Sequence, residues 1–261
     1  MSAGLAAHWV RFRHEGEVRF GTLEPDHDHV RVCTGDLFAG ALPTERILAL
    51  AEVQLLAPVE PRKIVALWNN FHALGAKLNL PVPAEPLYLL KATTSVLAPG
   101  GVIRKPRCDG RVVFEGELAM VIGKTASGVS EARALDHVLG YTCANDVTLA
   151  DILHRDASFP QWARAKGFDS FCPFGPAIAT GIDPAKLVVK TVLNGEVRQD
   201  YPISDMRFSV AQLVSLISQD MTLEPGDLIL CGTSVGAGSM KPGSTIEVEI
   251  AGVGRLTNRF H

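Results

Sequence analysis

The beginning of the chain alternates between apolar and polar residues in short segments, which is the pattern of half-buried strands. Residues 9–12 and 17–21 alternate in this way on either side of a short polar turn, so they predict a β-hairpin. The proline-containing stretch at residues 58–61 is typical of a linker. We therefore predict a small β-rich N-terminal domain at residues 1–60 and a larger domain at residues 61–261.

The larger predicted domain combines many short strands with a few helices. Residues 63–68, 227–231 and 245–250 are apolar or alternating runs near Gly and Pro turns, as expected of strands. Ser130 precedes a helical pattern over residues 131–139 that Gly140 would end, and Ser209 opens a second helix with a capping-box pattern. Because helices and strands do not alternate regularly, we predict a strand-rich mixed α/β fold.

Composition excludes several classes of protein. The 261 residues include 25 basic and 28 acidic side chains, a formal net charge of −3, so the basic excess of a nucleic-acid-binding protein is missing. Neither a run of 18 apolar residues nor a signal peptide is present, so we expect a cytoplasmic protein without a membrane partner. Five cysteines without C-x-x-C spacing fit reduced, buried thiols.

Two glutamates inside an apolar segment are the first candidate functional residues. Residues 111–123 alternate as a strand, which places Glu115 and Glu117 on one face. Neighbouring carboxylates repel and are costly to bury unless a cation lies between them. A solvent-exposed face is the simpler interpretation of this pattern, and a shared cation is the alternative.

A third acid, Asp146, follows the apolar run at residues 139–144. An Asn-Asp pair after a strand is commonly a turn or a helix N-cap, and that interpretation stays open. Three acids at strand ends, without a histidine or cysteine cluster, suit an oxygen-preferring cation such as Mg²⁺ or Mn²⁺. Sequence spacing cannot establish that the three carboxylates converge.

Four motifs follow one another along the chain: Glu115-Gly116-Glu117-Leu118, Asn145-Asp146-Val147-Thr148, Lys166-Gly167-Phe168-Asp169-Ser170-Phe171-Cys172-Pro173, and Leu223-Glu224-Pro225-Gly226-Asp227 with Gly232-Thr233. Together they resemble the fumarylacetoacetate hydrolase superfamily, and within it the isomerase/decarboxylase enzymes of homoprotocatechuate breakdown. The resemblance implies a β-roll or β-sandwich catalytic domain and a homodimer. It also implies Mg²⁺ or Mn²⁺ held by Glu115, Glu117 and Asp146.

The resemblance gives roles to four further residues. It implies that Lys166 and His72 are catalytic, and that Lys91 and Thr233 bind the substrate. Without the resemblance, Lys166 is most simply a solvated lysine and Lys91 a strand-end residue. Thr233 would then belong to an ordinary turn, and His72 would be a structural or surface histidine.

The chain departs from the family pattern at Ala92, where a proline usually follows the lysine, and at two positions that bear on the activity. Hydrolytic members carry a glutamate three residues after the histidine, where this chain has Gly75, and Ala150 stands at a position that is often arginine. A carboxylate that orients the imidazole for water activation is therefore missing locally.

The missing glutamate favours one of the activities that the resemblance implies. We expect the substrate to be a small anionic 2-oxo acid from aromatic catabolism. The enzyme would isomerise or decarboxylate this acid, with an enolate as the intermediate. Hydrolysis of a C–C bond in acylpyruvates or fumarylacetoacetate-type substrates is the alternative. A third hypothesis is a binding protein that keeps the metal without turnover.

Overall fold

Strands dominate the structure, a computed structural model that describes residues 7–261 and is 42% strand and 18% helix. The predicted strand-rich mixed fold is therefore confirmed. The first six residues, which contribute to the expectation of no signal peptide, lie outside the described residues. The strands are β1 His8–His14, β2 Glu17–Leu23, β3 His29–Thr34, β4 Leu42–Ala49, β5 Gln54–Leu55, β6 Ile64–Trp68, β7 Leu87–Lys91, β8 Val96–Leu97, β9 Val102–Ile103, β10 Val112–Phe114, β11 Gly116–Ile122, β12 Val138–Asn145, β13 Thr148–Leu149, β14 Cys172–Ala179, β15 Val188–Leu193, β16 Glu196–Pro202, β17 Leu228–Leu230, β18 Gly238–Ser239, β19 Thr245–Ile250 and β20 Gly254–Phe260. The α-helices are α1 His72–Lys77, α2 Glu131–Ala134, α3 Ala150–Leu153, α4 Trp162–Lys166 and α5 Val210–Asp220.

The predicted N-terminal hairpin is confirmed, and it is part of a much larger sheet. β1 and β2 pair in antiparallel fashion with Trp9 opposite Thr22, while the start of β1 pairs with β14, His8 opposite Ala179. The sheet runs in the order β4-β3-β2-β1-β14-β12-β11-β17-β6-β7, with β5 joined to β1 and β8 to β14. The strands of the two predicted domains therefore share one twelve-stranded sheet, and the boundary near residue 60 stays a prediction.

A second sheet covers the centre of the first. It has five strands in the order β16-β15-β19-β20-β9. Val248 and Ile250 of this sheet share a buried core with Leu118 and Met120 of β11, and α5 adds Leu213 to the same core. Burial of each such side chain contributes about 1.5–3 kcal/mol, so this double layer holds the central strands in place.

The capping box predicted at Ser209 is confirmed. The Ser209 hydroxyl accepts a hydrogen bond from the Gln212 backbone, and the Gln212 side chain accepts one from the Ser209 backbone. Both bonds satisfy amide groups that the first turn of a helix otherwise leaves unpaired.

The helix predicted over residues 131–139 is shorter than expected. α2 ends at Ala134, a 3₁₀ turn follows to His137, and β12 begins at Val138. Gly140 does not end a helix but lies within β12, where a Cβ atom would be 2.3 Å from the Ala179 carbonyl oxygen of β14. Gly140 therefore allows β12 and β14 to approach each other closely. The prediction from local sequence that it ends a helix is wrong.

The strand predicted over residues 111–123 is two strands. β10 belongs to a three-stranded sheet of order β13-β10-β18, whereas β11 lies in the twelve-stranded sheet. Glu115 stands between them, so the chain passes from one sheet to the other at the first candidate ligand.

The cysteines are unpaired, and four of the five are buried. Burial raises the pKa of the Cys143 and Cys172 thiols to about 12, so both stay protonated and unreactive at neutral pH.

Within residues 7–261, no helix combines the length and the apolar character needed to cross a membrane.

Candidate metal centre

Three carboxylates converge where β10 passes into β11 and where β12 ends. The Glu115 backbone N–H donates to the Asn145 side-chain oxygen at 3.0 Å, and the Asp146 N–H donates to the Glu115 carbonyl at 2.9 Å. These two bonds tie the sheet crossover to the end of β12. One oxygen each from Glu115, Glu117 and Asp146 lies within 4.8 Å of the other two. The structure thus supplies the convergence that spacing could not establish.

The carboxylates are inside the protein. The Glu117 and Asp146 side chains have no exposed area, and that of Glu115 is 15% exposed. The interpretation of the Glu115 and Glu117 face as solvent-exposed is therefore wrong. Burial of several carboxylates requires positive charge nearby.

Two buried lysines supply that charge. The Lys166 ammonium group, at the end of α4, lies 2.8 Å from Glu115 Oε2, 2.6 Å from Asp146 Oδ2 and 2.8 Å from the Thr148 hydroxyl. Lys91, at the end of β7, pairs with Asp146 Oδ1 and donates to the Phe171 carbonyl at 3.0 Å. Both oxygens of Asp146 therefore face an ammonium group. Lys166 is not the solvated residue that sequence alone favours, whereas Lys91 does end a strand, as sequence alone favours, and is buried there.

Glu117 differs from the other two carboxylates. Its Oε2 accepts a hydrogen bond of 2.7 Å from the Gly232 backbone N–H, whereas its Oε1 is buried and has no hydrogen-bond partner among the described residues. A buried carboxylate oxygen without a partner is unfavourable. This oxygen is suited to binding a positively charged ligand, and an all-carboxylate donor set fits a hard divalent cation such as Mg²⁺ or Mn²⁺.

Burial and neighbouring charges give the three carboxyl groups different proton affinities. Burial raises the pKa of Glu117 well above its ordinary value, and the negative charges of Asp146 and Glu115 raise it further. Burial also raises the pKa of Glu115, although Lys166 opposes this. Burial alone would also raise the pKa of Asp146. The positive charges of Lys166 and Lys91 outweigh this effect and hold the pKa of Asp146 below its ordinary value. Among the three carboxyl groups, Glu117 therefore has its pKa raised most strongly.

Thr233 lies next to the glycine that separates the two glutamates. Its hydroxyl donates to the Gly116 carbonyl at 3.0 Å and accepts from the Gln199 amide at 2.8 Å. The hydroxyl proton is thus used within the protein. Contact between Thr233 and a substrate carboxylate stays a prediction, and in this arrangement it would use the backbone N–H.

Gln199 and Tyr201 are site residues that sequence analysis missed. Gln199 also accepts from the Gly116 N–H at 3.0 Å, and the Tyr201 hydroxyl donates to the Gly116 carbonyl at 2.5 Å. Both are buried residues of β16, two positions apart and on one face. The alternating positions of Gln199 and Tyr201 could have indicated from sequence that both lie on one face of a strand. The alternation does not reveal which strand of the other sheet packs against that face.

His72 is separate from the carboxylate cluster. It is the first residue of α1, its side chain is exposed, and its ring Nδ1 lies 3.5 Å from Arg207 Nη1. Two residues earlier, the Asn70 amide donates to the Cys231 carbonyl at 2.8 Å, directly before Gly232. α1 therefore begins beside the loop that holds Glu117, although His72 itself does not contact the three carboxylates.

An acid does not replace the glutamate that is absent at position 75. Across residues 7–261, no carboxylate oxygen lies within 4.0 Å of the His72 ring nitrogens. The acid nearest in sequence to this contact, Asp205, accepts from the Ala73 backbone instead. A Cβ atom at Gly75 would lie 2.1 Å from Arg207 Nη2, so the arginine occupies the space that a side chain there would need.

Comparison with known proteins agrees with the fold. Residues 63–261 match the family described as Fumarylacetoacetate (FAA) hydrolase C-terminal, and residues 7–58 match Rv2993c-like, N-terminal. The crystal structure of 2-hydroxyhepta-2,4-diene-1,7-dioate isomerase from Mycobacterium marinum is 40% identical with a TM-score of 0.89, covering 97% of this chain and 98% of that one. That of 5-carboxymethyl-2-hydroxymuconate delta-isomerase from Mycobacterium smegmatis is 37% identical with a TM-score of 0.90 and the same coverage. The mitochondrial oxaloacetate tautomerase fahd2 of Xenopus laevis is 36% identical over 82% of this chain and 70% of that protein.

Proposed function

Because the chain belongs to the fumarylacetoacetate hydrolase family, an enzyme family with isomerase and tautomerase relatives, we propose that it is a divalent-metal-dependent isomerase of small anionic 2-oxo acids. The observation that carries the proposal is the unpartnered Oε1 of Glu117, which lies in one buried cluster with Glu115 and Asp146. Keto–enol interconversion of a 2-oxo acid is the simplest reaction of this kind. Decarboxylation of a 2-oxo acid with a carboxylate β to its carbonyl releases CO₂ and leaves the electron pair of the broken C–C bond in an enolate, which the same site would stabilise, so it belongs to the same proposal.

Glu115, Glu117 and Asp146 would hold Mg²⁺ or Mn²⁺. When bound, the cation supplies Lewis-acid stabilisation of the negative charge that develops on the substrate oxygens. The charge of the cluster supports an anionic substrate. When all are ionised, three carboxylates and two ammonium groups leave one negative charge, which a divalent cation would convert to one positive charge.

Lys166 would stabilise the same developing charge. Its ammonium group is fixed by Glu115, Asp146 and Thr148 and is 3% exposed, so little reorganisation is needed during the reaction. A fixed charge in a water-poor site acts more strongly than one in solvent. Lys91 contacts Asp146 and Phe171, which supports a role in holding Asp146 in place, and its contact with substrate stays a prediction.

The surroundings of His72 favour isomerisation over hydrolysis. C–C hydrolysis needs an activated water, and a general base of the imidazole type is normally oriented by a carboxylate. Here the neighbour of His72 is Arg207, and Gly75 leaves no acid at the family position. Enol–keto interconversion needs no such water.

The remaining expectations belong to this proposal. We propose a homodimer in the cytoplasm, acting on a small 2-oxo acid rather than on nucleic acid. The net charge of −3 and the five unpaired cysteines support the compartment and the partner class.

An assay over a substrate panel tests the proposed reaction. The panel contains oxaloacetate, hydroxymuconate-type acids and acylpyruvates, each with Mg²⁺, Mn²⁺ or a chelator. We expect a change in enol absorbance or a release of CO₂ that depends on the cation, and we expect Glu117→Gln to lose this activity. The control is Glu249→Gln, which changes a partly exposed glutamate of β19 and should keep the activity. Cleavage of acylpyruvates into two acids would instead establish a hydrolase. Absence of turnover on every substrate would favour a binding protein.

A further inference from the structure

The segment that carries Arg207 is fastened to the start of α1. The Arg207 backbone N–H donates to the Asn70 carbonyl at 2.8 Å, and the Phe208 N–H donates to the Asn70 side-chain oxygen at 3.0 Å. On the other side, the Ala73 N–H donates to an Asp205 carboxylate oxygen at 3.0 Å. These bonds flank His72 on both sides, so the position of Arg207 relative to that residue is set by the backbone.

The Arg207 side chain occupies a notch that glycine leaves open. A Cβ atom at Gly75 would lie 2.1 Å from Nη2 and 3.2 Å from Cζ of Arg207. Nη1 lies 3.5 Å from His72 Nδ1, and Nε is buried without a hydrogen-bond partner in the described part of the chain. None of the carboxylates of residues 7–261 pairs with this guanidinium group within 4.0 Å. The guanidinium is therefore directed at the imidazole and is not neutralised by an acid.

The direction of this contact determines where the imidazole carries its proton. A guanidinium group only donates hydrogen bonds, so Nδ1 of His72 must accept and must hold a lone pair. A neutral imidazole has one proton, which is then on Nε2. A carboxylate partner has the opposite effect, because it accepts from Nδ1–H and leaves Nε2 as the base.

We propose that Arg207 is a positioning residue that holds the His72 imidazole in the tautomer with its proton on Nε2 and with the lone pair of Nδ1 directed at Arg207. In this form His72 offers an N–H donor to a substrate oxygen on which negative charge develops, and it has no free lone pair with which to take a proton from water. A neutral imidazole acting as a hydrogen-bond donor is an established catalytic arrangement. The inference rests on the proposed function and deepens it, since it explains why the site isomerises its substrate and does not hydrolyse it.

Nitrogen-15 NMR of the imidazole rings tests the proposal without any substrate. The protein is labelled at its 8 histidines, the His72 signals are assigned by their loss in His72→Gln, and spectra are recorded at about pH 8.5, where an ordinary imidazole is neutral. We expect an unprotonated Nδ1 in the wild type. In Arg207→Glu we expect Nδ1 to become protonated, whereas Arg207→Lys keeps a donor and preserves the wild-type pattern. Arg62→Met, at an exposed arginine, is the control for loss of a surface charge.

The kinetics of the isomerisation reaction provide a second test. With Mn²⁺ present, Arg207→Glu should lower kcat for isomerisation by about 100-fold, as for loss of one hydrogen-bond donor to a developing oxyanion, and should introduce cleavage of acylpyruvates. A rise in KM with unchanged kcat would mean that Arg207 binds substrate directly, which would overturn the proposal.

The NMR result separates this inference from the proposed function. A protonated Nδ1 in the wild type would overturn the role of Arg207 even if isomerisation is observed, and the wild-type spectrum stands even if a variant fails to fold. An unprotonated Nδ1 in folded Arg207→Glu, checked by thermal unfolding, would also overturn it. Lack of turnover on the whole panel would instead refute the proposed reaction and leave the NMR result unaffected.

Discussion

The Gly232 backbone N–H donates a hydrogen bond of 2.7 Å to Oε2 of Glu117 and thereby orients the carboxylate whose other oxygen is unpartnered. A buried polar atom without a partner costs about 1–3 kcal/mol. The loop after β17 therefore holds Glu117 in a position that is unfavourable alone and favourable beside a cation. We therefore expect the stability of the protein to depend on whether a cation is bound beside these two residues.

Glu117→Gln should abolish stabilisation by divalent cations. At a Mn²⁺ concentration of 100 times Kd, a site of the native state adds about 2.7 kcal/mol to the free energy of unfolding. The variant should show little or none of this gain, because the amide replaces the unpartnered carboxylate oxygen. Thermal unfolding with and without Mn²⁺ measures the difference. Glu249→Gln should respond like the wild type, and an undiminished response in Glu117→Gln would refute the site.

Without a cation, the protein should lose stability as pH rises above the ordinary glutamate pKa of 4.5 toward the raised pKa of Glu117. In that window the folded state binds more protons than the unfolded state, so the free energy of unfolding falls with increasing pH. Urea denaturation in a chelator, repeated across this pH range, measures the slope. The slope should be smaller in Glu117→Gln and with saturating Mg²⁺. An equal slope in the variant would contradict the assignment to Glu117.

Lys91→Met should destabilise the protein by about 3 kcal/mol, because it leaves part of the buried Asp146 charge unpaired. The matched control is Lys186→Met, which removes an ion pair with Asp183 in which the lysine is 82% and the aspartate 52% exposed. An exposed pair contributes about 0–1 kcal/mol. Urea denaturation of both variants without metal compares them, and equal losses would show that the Lys91–Asp146 pair is not an important source of stability.

Gly116→Ala should disturb both glutamates, since a Cβ atom there would lie 2.0 Å from the Thr191 hydroxyl oxygen. We expect a loss of about 1–3 kcal/mol from overpacking. Thr191→Ala removes the obstructing oxygen, so the double variant should recover part of the loss, with a coupling of at least about 0.5 kcal/mol. Gly238→Ala, where a Cβ atom would meet Phe114 at an ordinary 3.6 Å, is the control. Strictly additive losses in a double-mutant cycle would exclude the clash.

Much of the fold was predictable from local patterns. The hairpin of β1 and β2 and the capping box at Ser209 follow from alternation and from helix-start chemistry, both of which depend on neighbouring residues. The end of α2 and the break at Glu115 were not predictable. Gly140 is required by the close approach of β14, a strand distant in sequence. The interruption of the strand at Glu115 depends on a second sheet, to which β10 belongs.

The sequence by itself determined which side chains are available to the site. It identified the acids Glu115, Glu117 and Asp146, and its motifs resemble one superfamily, because residue types and short spacings are properties of the chain. It also revealed that Gly75 departs from the hydrolytic pattern.

Only the tertiary structure decided how those side chains act. The ammonium groups of Lys91 and Lys166 reach Asp146 from β7 and α4, and Arg207 reaches the space above Gly75 from more than 130 positions away. Periodicity describes which face of one element a residue occupies, whereas burial, ion pairing and proton position depend on which elements meet. In this protein, the passage of the chain between two sheets at Glu115 determines the surroundings of the carboxylates. The hydrogen bonds between residues 205–208 and the start of α1 determine the surroundings of His72.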